Sequence, residues 1–305
     1  MNWNSIKTAL LLGFLTGILL LFGKLLGGNA GMVVALFMAA IMNFASWFFS
    51  DKIVLSMYGV RLLSEEEAPW LHKTVEKLAK NAGIPKPRIG IAPMDVPNAF
   101  ATGRDPKHGV VVVTPKIVEL LNEDELEGVL AHEISHIKNR DTLIQAVAAT
   151  IAGAITMLAN MAQWFLLFGG ASREEEEGGW AEVIGLILMV ILAPIAAAII
   201  QMAISRAREY KADETGGIIS GKPEALASAL KKLEDYAQRI PPELVRREVN
   251  PATSHLFIVN PLKGDAIASL FSTHPPTEKR IARLLELAKK LFGRIREIYW
   301  RYTGY

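Results

Sequence analysis

Cysteine does not occur in the 305-residue chain. Disulfides and thiolate metal ligands are excluded together, so any bound metal must be held by histidine and carboxylates. The redox compartment is left open. An excess of one charge is also missing: 33 Lys+Arg stand against 31 Asp+Glu, a formal net charge of +2. With no basic run, nothing recommends nucleic acid as a partner. No glycine-rich loop closes on Gly-Lys-Ser/Thr, so a nucleotide partner is not expected from this polypeptide. Repeats and low-complexity segments are absent too. Charged residues reach only 21% while 51% are hydrophobic, and mean hydropathy is +0.26. That balance is too apolar for a typical soluble domain and too charged for a pure membrane bundle.

Four windows are apolar over the ~20 residues that a bilayer crossing needs: about 8–26, 31–49, 143–168 and 183–204. The first is longer than the ~7–15-residue core of a signal peptide and turns at once into the second through Leu25-Leu26-Gly27-Gly28-Asn29-Ala30. A helical hairpin follows. The short connectors carry Lys24 alone, and Arg173 against Glu174 to Glu177; residues 50–142 hold twelve Lys/Arg and 206–305 hold eighteen. Positive residues mark the cytoplasmic side, which puts both termini and both large segments there. The expected organisation is a transmembrane hairpin (1–50), a cytoplasmic segment (51–142), a second transmembrane hairpin (143–205) and a second cytoplasmic segment (206–305).

Within the polar segments, Ser64 to Ala82 reads as a helix stopped by Gly83. Lys86 to Ala92 reads as a strand, and Asn98 to Thr114 as two strands around a polar turn at Arg104 to Gly109. Asn122 with Glu125 is a capping box opening a helix that meets no breaker before the third window, so it is expected to run straight into the membrane. Lys222 to Ile240 and Pro275 to Tyr302 are helical patterns. The last is amphipathic with its apolar side toward the core. Pro241 to Gly264 reads as a Pro/Asn-rich loop.

The chemistry sits in Val129-Leu-Ala-His-Glu-Ile-Ser-His-Ile-Lys-Asn-Arg-Asp141. On a helix, His132 and His136 lie one turn apart on one face, the spacing that lets two imidazoles share one ion, with Glu133 beside them to hold a metal-bound water. Zinc suits this donor set, and a catalytic zinc needs three protein ligands with the fourth position open. Ser205-Arg-Ala-Arg-Glu-Tyr-Lys-Ala-Asp213 offers the third: Glu209 as ligand, and Asp213 one turn later to orient a ligand imidazole. Taken alone, that carboxylate pair reads as a solvated face. Its placement argues otherwise. His136 stands seven residues before the third window and Glu209 five after the fourth, roughly 10 Å and 7–8 Å along helices, on the same expected side of the membrane. His72, His108 and His255 have no partnered spacing and read as ordinary.

These stretches, with "NAFATG" (98–103) and "FSTHPPTEKRIARL" (271–284), resemble the HtpX-type membrane zinc metalloproteases, related to the CAAX-prenyl zinc endoproteases. The resemblance runs over essentially the whole chain. It implies a gluzincin-like α+β protease domain with a small sheet, built from two chain segments beside four transmembrane helices. It implies one Zn2+ per chain on His132, His136 and Glu209, with Glu133 as general base and Asp213 orienting a histidine. It also implies Asn98 and Ala99 as the edge-strand element that binds substrate backbone, and His274 and Arg280 as stabilisers of the oxyanion. The expected function is an integral-membrane endopeptidase of protein quality control with a cytoplasmic active site, acting on damaged or misfolded membrane proteins. The alternatives are a CAAX-type protease of lipidated peptides and a non-catalytic zinc-binding membrane scaffold.

Overall fold

The computed structural model describes residues 3–152, 206–249, 251–261 and 275–303. Helix α1 (Trp3–Phe48) is helical along its length yet doubles back at Gly28, whose φ of +61° favours a residue without Cβ. A straight helix would hold Leu12 and Asn43 about 46 Å apart; instead Asn43 Nδ2 donates to Thr16 Oγ1 at 2.8 Å and to Leu12 O at 3.4 Å. A Cβ on Gly31 would lie 2.2 Å from Gly23 O, so the two arms can approach this closely only as glycines. The hairpin expected from the sequence is therefore present. Its arm Gly28–Phe48 is long and apolar enough to cross a bilayer, whereas Ile6–Leu21 is shorter. Leu10, Phe37, Ile41 and Phe44 are exposed on it, an apolar surface that calls for an apolar environment. Only 143–152 of the third expected window is described, and the fourth lies outside the described residues.

After α2 (Ser50–Met57) come β1 (Arg61–Leu62), α3 (Pro69–Ala82), β2 (Arg88–Ile91), β3 (Ala99–Thr102), β4 (Val110–Val113) and α4 (Pro115–Leu120). The helix expected from Ser64 begins only at Pro69. Ser64 and Glu67 instead close a local turn, Ser64 N–H to Glu67 Oε2 at 2.8 Å and Glu67 N–H to Ser64 Oγ at 3.3 Å, and Pro69 then fits the first helical position. Gly83 stops α3 in the left-handed conformation, as expected. The sheet order is β1-β2-β4-β3, β4 pairing parallel with β2 and antiparallel with β3. The four valines of β4 are apolar on both sides because both faces are covered, one by α3 and α5, the other by Tyr58, Val245 and Phe257. That leaves β3 as the edge.

Helix α5 (Glu123–Asn139) opens with the expected capping box, Glu125 N–H to Asn122 Oδ1 at 2.9 Å and Asn122 N–H to Glu125 Oε2 at 3.0 Å. It does not run straight on. Arg140 adopts φ 59°, closing α5 with its N–H turned back on His136 O and Ile137 O, and α6 (Asp141–Ala152) starts in a new direction. The break costs the strain of a left-handed non-glycine residue, and it matters for the site below.

Helices α7 (Arg206–Ser220), α8 (Pro223–Ala237), α9 (Pro242–Glu248) and α10 (Thr277–Thr303) complete the fold. Helix α7 lies against α5 so tightly that a Cβ on Gly216 would come 2.9 Å from the His132 backbone nitrogen. Helix α10 turns Arg280, Leu284 and Ala288 inward, as its pattern implied. Within the expected loop 241–264 the described residues instead form α9, a 3-10 turn (Pro251–Leu256) and a buried bend through Val259. Its prolines start helices rather than merely interrupting structure.

One end of the α1 hairpin meets α6 and α7, and the other meets the turn after β3. Lys7 lies within electrostatic reach of Arg208 and Asp141, and the Arg104 guanidinium stands 4.6 Å over the Phe48 ring.

Candidate metal centre

The capping box fixes the start of α5, and the heptad-like burial of Leu126, Val129, Leu130, Ile134 and Ile137 fixes its rotation. His132, Glu133 and His136 then face α7. His132 Nε2 and His136 Nε2 are 3.2 Å apart, Glu209 Oε2 is 3.7 Å from the first and Glu209 Oε1 is 3.6 Å from the second. A tetrahedral zinc with bonds of about 2.0–2.1 Å sets its ligand atoms roughly 3.3 Å apart. Three donors from two helices already stand at nearly that spacing. His132, His136 and Glu209 are also the His/Cys/Asp/Glu group among the described residues that could hold a metal ion, and all three are buried.

A second ring of charge holds the first. His132 Nδ1 lies 2.9 Å from Asp213 Oδ1, on a line bent from that of an ideal hydrogen bond. Asp213 accepts two hydrogen bonds from Arg280, from Nε at 2.8 Å and from Nη2 at 2.7 Å, while Nη1 donates to Ile258 O at 2.9 Å. His136 Nδ1 lies 3.1 Å from Asp141 Oδ2. Each imidazole thus has a carboxylate behind it, which sets the tautomer that leaves Nε2 for a metal.

Buried carboxylates outnumber cations here, and the titration behaviour follows. Burial pushes Glu133 up to about 8, Glu209 adds to the rise, and His136 and the Ala101 N–H oppose it. Burial alone would lower His136, but Glu209 and Asp141 outweigh it and raise the imidazole to about 9. For His132 burial prevails and its pKa is lowered despite Asp213. Burial would raise Asp213, yet Arg280 and His132 bring it down to about 2. Without metal the pocket holds protons to balance its charge; a dication replaces them at once. The donors fit zinc.

Of the residues expected from sequence, His132, Glu133, His136, Glu209 and Asp213 are brought together. Ala99 lies in the edge strand, one rung from the site. The Thr114 N–H bonds to Asn98 O, and antiparallel alternation then turns the main-chain groups of Ala99 and Ala101 away from β4 toward the outer edge, which is buried. The Ala101 N–H meets Glu133 there. Asn98 is buried with its amide engaged by residues 256–258. Arg280, expected at the oxyanion, has each of its three guanidinium nitrogens bonded to Asp213 or Ile258. His274 lies outside the described residues. Sequence reasoning missed two parts. Asp141 stands five residues after His136, about 140° off its face on a continuous helix, and only the break at Arg140 turns it back. The stretch His255–Ile258 lines the same pocket as the metal donors and carries no spacing signal at all.

Against known proteins, the model of Peptidase family M48 matches residues 65–288. A protein described as "Protease HtpX homolog" from Aquifex aeolicus is 61% identical over 277 residues, covering 90% of each chain. Homologues of the same description from Persephonella marina and Pyrococcus furiosus are each 59% identical, over 288 and 286 residues; both alignments cover 94% of this chain, with 99% and 96% of theirs. The crystal structure of S. mikatae Ste24p aligns with a TM-score of 0.47 at 20% identity, covering 92% of this chain and 65% of that one, too distant a likeness to argue from.

Proposed function

This chain belongs to peptidase family M48 and is a metallopeptidase, and from that premise we propose that it is a membrane-embedded zinc endopeptidase whose site lies on the cytoplasmic side. The observation that carries the reading is the convergence of His132 Nε2, His136 Nε2 and the two Glu209 oxygens, at 3.2–3.7 Å, with Glu133 on the same helix turn.

His132, His136 and Glu209 would hold the ion. Zinc bound there supplies Lewis acidity, bringing the pKa of a water toward ~7 and polarising the scissile carbonyl. Glu133 takes the proton of the attacking water and passes it to the departing amine. The Ala101 N–H holds that carboxylate in place from the edge strand. Ala99, with main-chain groups on the outer edge, offers the next rung to a peptide that adds to β3. The buried walls strengthen each of these interactions by keeping bulk water out. Asp213 and Asp141 keep the imidazoles oriented. His274 is retained, from the resemblance, as a donor to the oxyanion.

Support for the membrane location comes from the exposed apolar hairpin and from the contacts of Lys7 and Phe48, which set one hairpin end beside α6 and α7 and the other beside the turn after β3. The charge distribution puts that side in the cytoplasm. Damaged or misfolded membrane proteins are the substrates that such a placement serves. The full chain, purified in detergent, is expected to carry one zinc and to cleave an unfolded protein such as casein. A chelator should stop the cleavage and zinc should restore it. Full zinc with no cleavage would leave a scaffold. Because the chain has no cysteine, a single one at Ser172 should label on intact cells with an impermeant reagent, and one at exposed Ser228 only after permeabilisation. Reversed labelling inverts the topology.

A further inference from the structure

From Thr253 to Val259 the chain is buried throughout, and three side chains and one main-chain carbonyl remote in sequence hold it. The Tyr58 hydroxyl bonds Thr253 Oγ1 at 2.7 Å. His255 Nε2 lies 3.4 Å from Gln145 O, and Arg280 Nη1 donates to Ile258 O at 2.9 Å. Asn98 makes the most specific contact: Nδ2 donates to Leu256 O at 3.4 Å, and Oδ1 accepts from Ile258 N–H at 3.2 Å. Those are the carbonyl before Phe257 and the N–H after it. A parallel neighbouring strand pairs with a residue through the same two groups. The Asn98 amide therefore imitates one rung of a ladder, at the head of the edge strand β3.

His255, Leu256, Phe257 and Ile258 line the pocket that also contains Phe100 and the metal donors. Its cavity is about 20 Å³, room for an ion or a water but not for a peptide. The residues of β3 are themselves buried, with this stretch packed against the strand, so a peptide adding to its outer edge would lie alongside the stretch. Arg280 ties it to the centre, because the guanidinium that holds Ile258 O also holds Asp213, which orients His132.

We propose that Leu256–Ile258 is the second wall of the substrate groove, facing the outer edge of β3, and that Asn98 and Arg280 are positioning residues that set this wall rather than groups that touch substrate. This rests on the metallopeptidase reading given above. The wall is apolar, Leu256 and Ile258 with Phe100 beside them, so it favours peptides with a large apolar side chain next to the scissile bond. Arg280 acts on wall and metal ligand together; Asn98 acts on the wall alone.

The test uses the full-length zinc-loaded enzyme and peptides that differ in one side chain flanking the scissile bond, alanine against leucine or phenylalanine. Asn98→Ala is expected to leave zinc stoichiometry unchanged and to raise KM for the large apolar peptides about tenfold, the value of one lost hydrogen-bond pair. With kcat little altered, the preference over alanine narrows. Asn98→Asp keeps the acceptor for Ile258 N–H and loses the donor to Leu256 O, so it falls between. Leu256→Ala should narrow the same preference, and the double variant should add little, because both changes act on one wall. A uniform loss of kcat/KM on every peptide with preference intact, or full additivity of the two changes, overturns the proposal and makes Asn98 a direct substrate contact. If Asn98→Ala fails to fold, Asn98→Asp with Leu256→Val gives the same cycle. Zinc-loaded wild type that cleaves no peptide at all is a separate outcome: it removes the metallopeptidase reading, and this wall with it.

Discussion

Glu133→Gln is expected to abolish peptide hydrolysis while zinc stays bound. Glutamine keeps the shape and can still accept the Ala101 N–H, and the three ligands are untouched. What it loses is the base, worth about 10²–10⁴-fold in rate. The metal-free protein offers a second readout. Burial holds the Glu133 pKa near 8, well above the ordinary carboxylate value of 4.5. A raised folded pKa contributes stability that is fully present below about 4.5 and is lost as pH rises through about 8. Glutamine has no proton to lose. The chelated variant should therefore match wild type in Tm at acid pH and exceed it above pH 8. Normal turnover by a variant with confirmed zinc would remove Glu133 from the mechanism.

Glu209→Ala is expected to strip the metal. Two imidazoles 3.2 Å apart are left without the anionic ligand, and the affinity loss should far exceed the ~10–100-fold typical of outer partners. Asp213→Asn is the matching control, expected within that smaller range. Alanine at 213 is a poor choice, because it would strand the buried Arg280 guanidinium that Asp213 binds through two nitrogens. Breaking such a pair costs about 3–5 kcal/mol. Zinc titration of purified variants decides the matter. Loss of zinc in Asp213→Asn with retention in Glu209→Ala would exchange the two roles.

Much of this centre is legible in the order of residues. Two histidines four apart on a capped helix share a face whatever the surroundings, because helix geometry is local. The Asn122–Glu125 box, the stop at Gly83, the α1 hairpin at its glycines and the inward face of α10 are likewise written in a few consecutive residues. Glu209 needed one step more, the sidedness of two apolar windows, which charge distribution supplied.

Other features depend on contacts between distant segments. The break at Arg140 has no local signature, since neither glycine nor proline marks it; it persists because Asp141 then reaches His136. The Thr253–Val259 stretch looks like loop because no period runs through it, yet Tyr58, Asn98 and Arg280 bury it as a wall. Asn98 and Arg280 were recognisable by motif as belonging near the site, but not by what they hold. By itself the sequence determined the candidate metal donors, the proposed base and the amphipathic elements, since these rest on spacing along helices and on the sidedness of the apolar windows. The tertiary structure alone decided which group each outer residue serves, because partners such as Arg280 and Asp213, 67 residues apart, or Asn98 and Ile258, 160 apart, are chosen by packing and not by spacing.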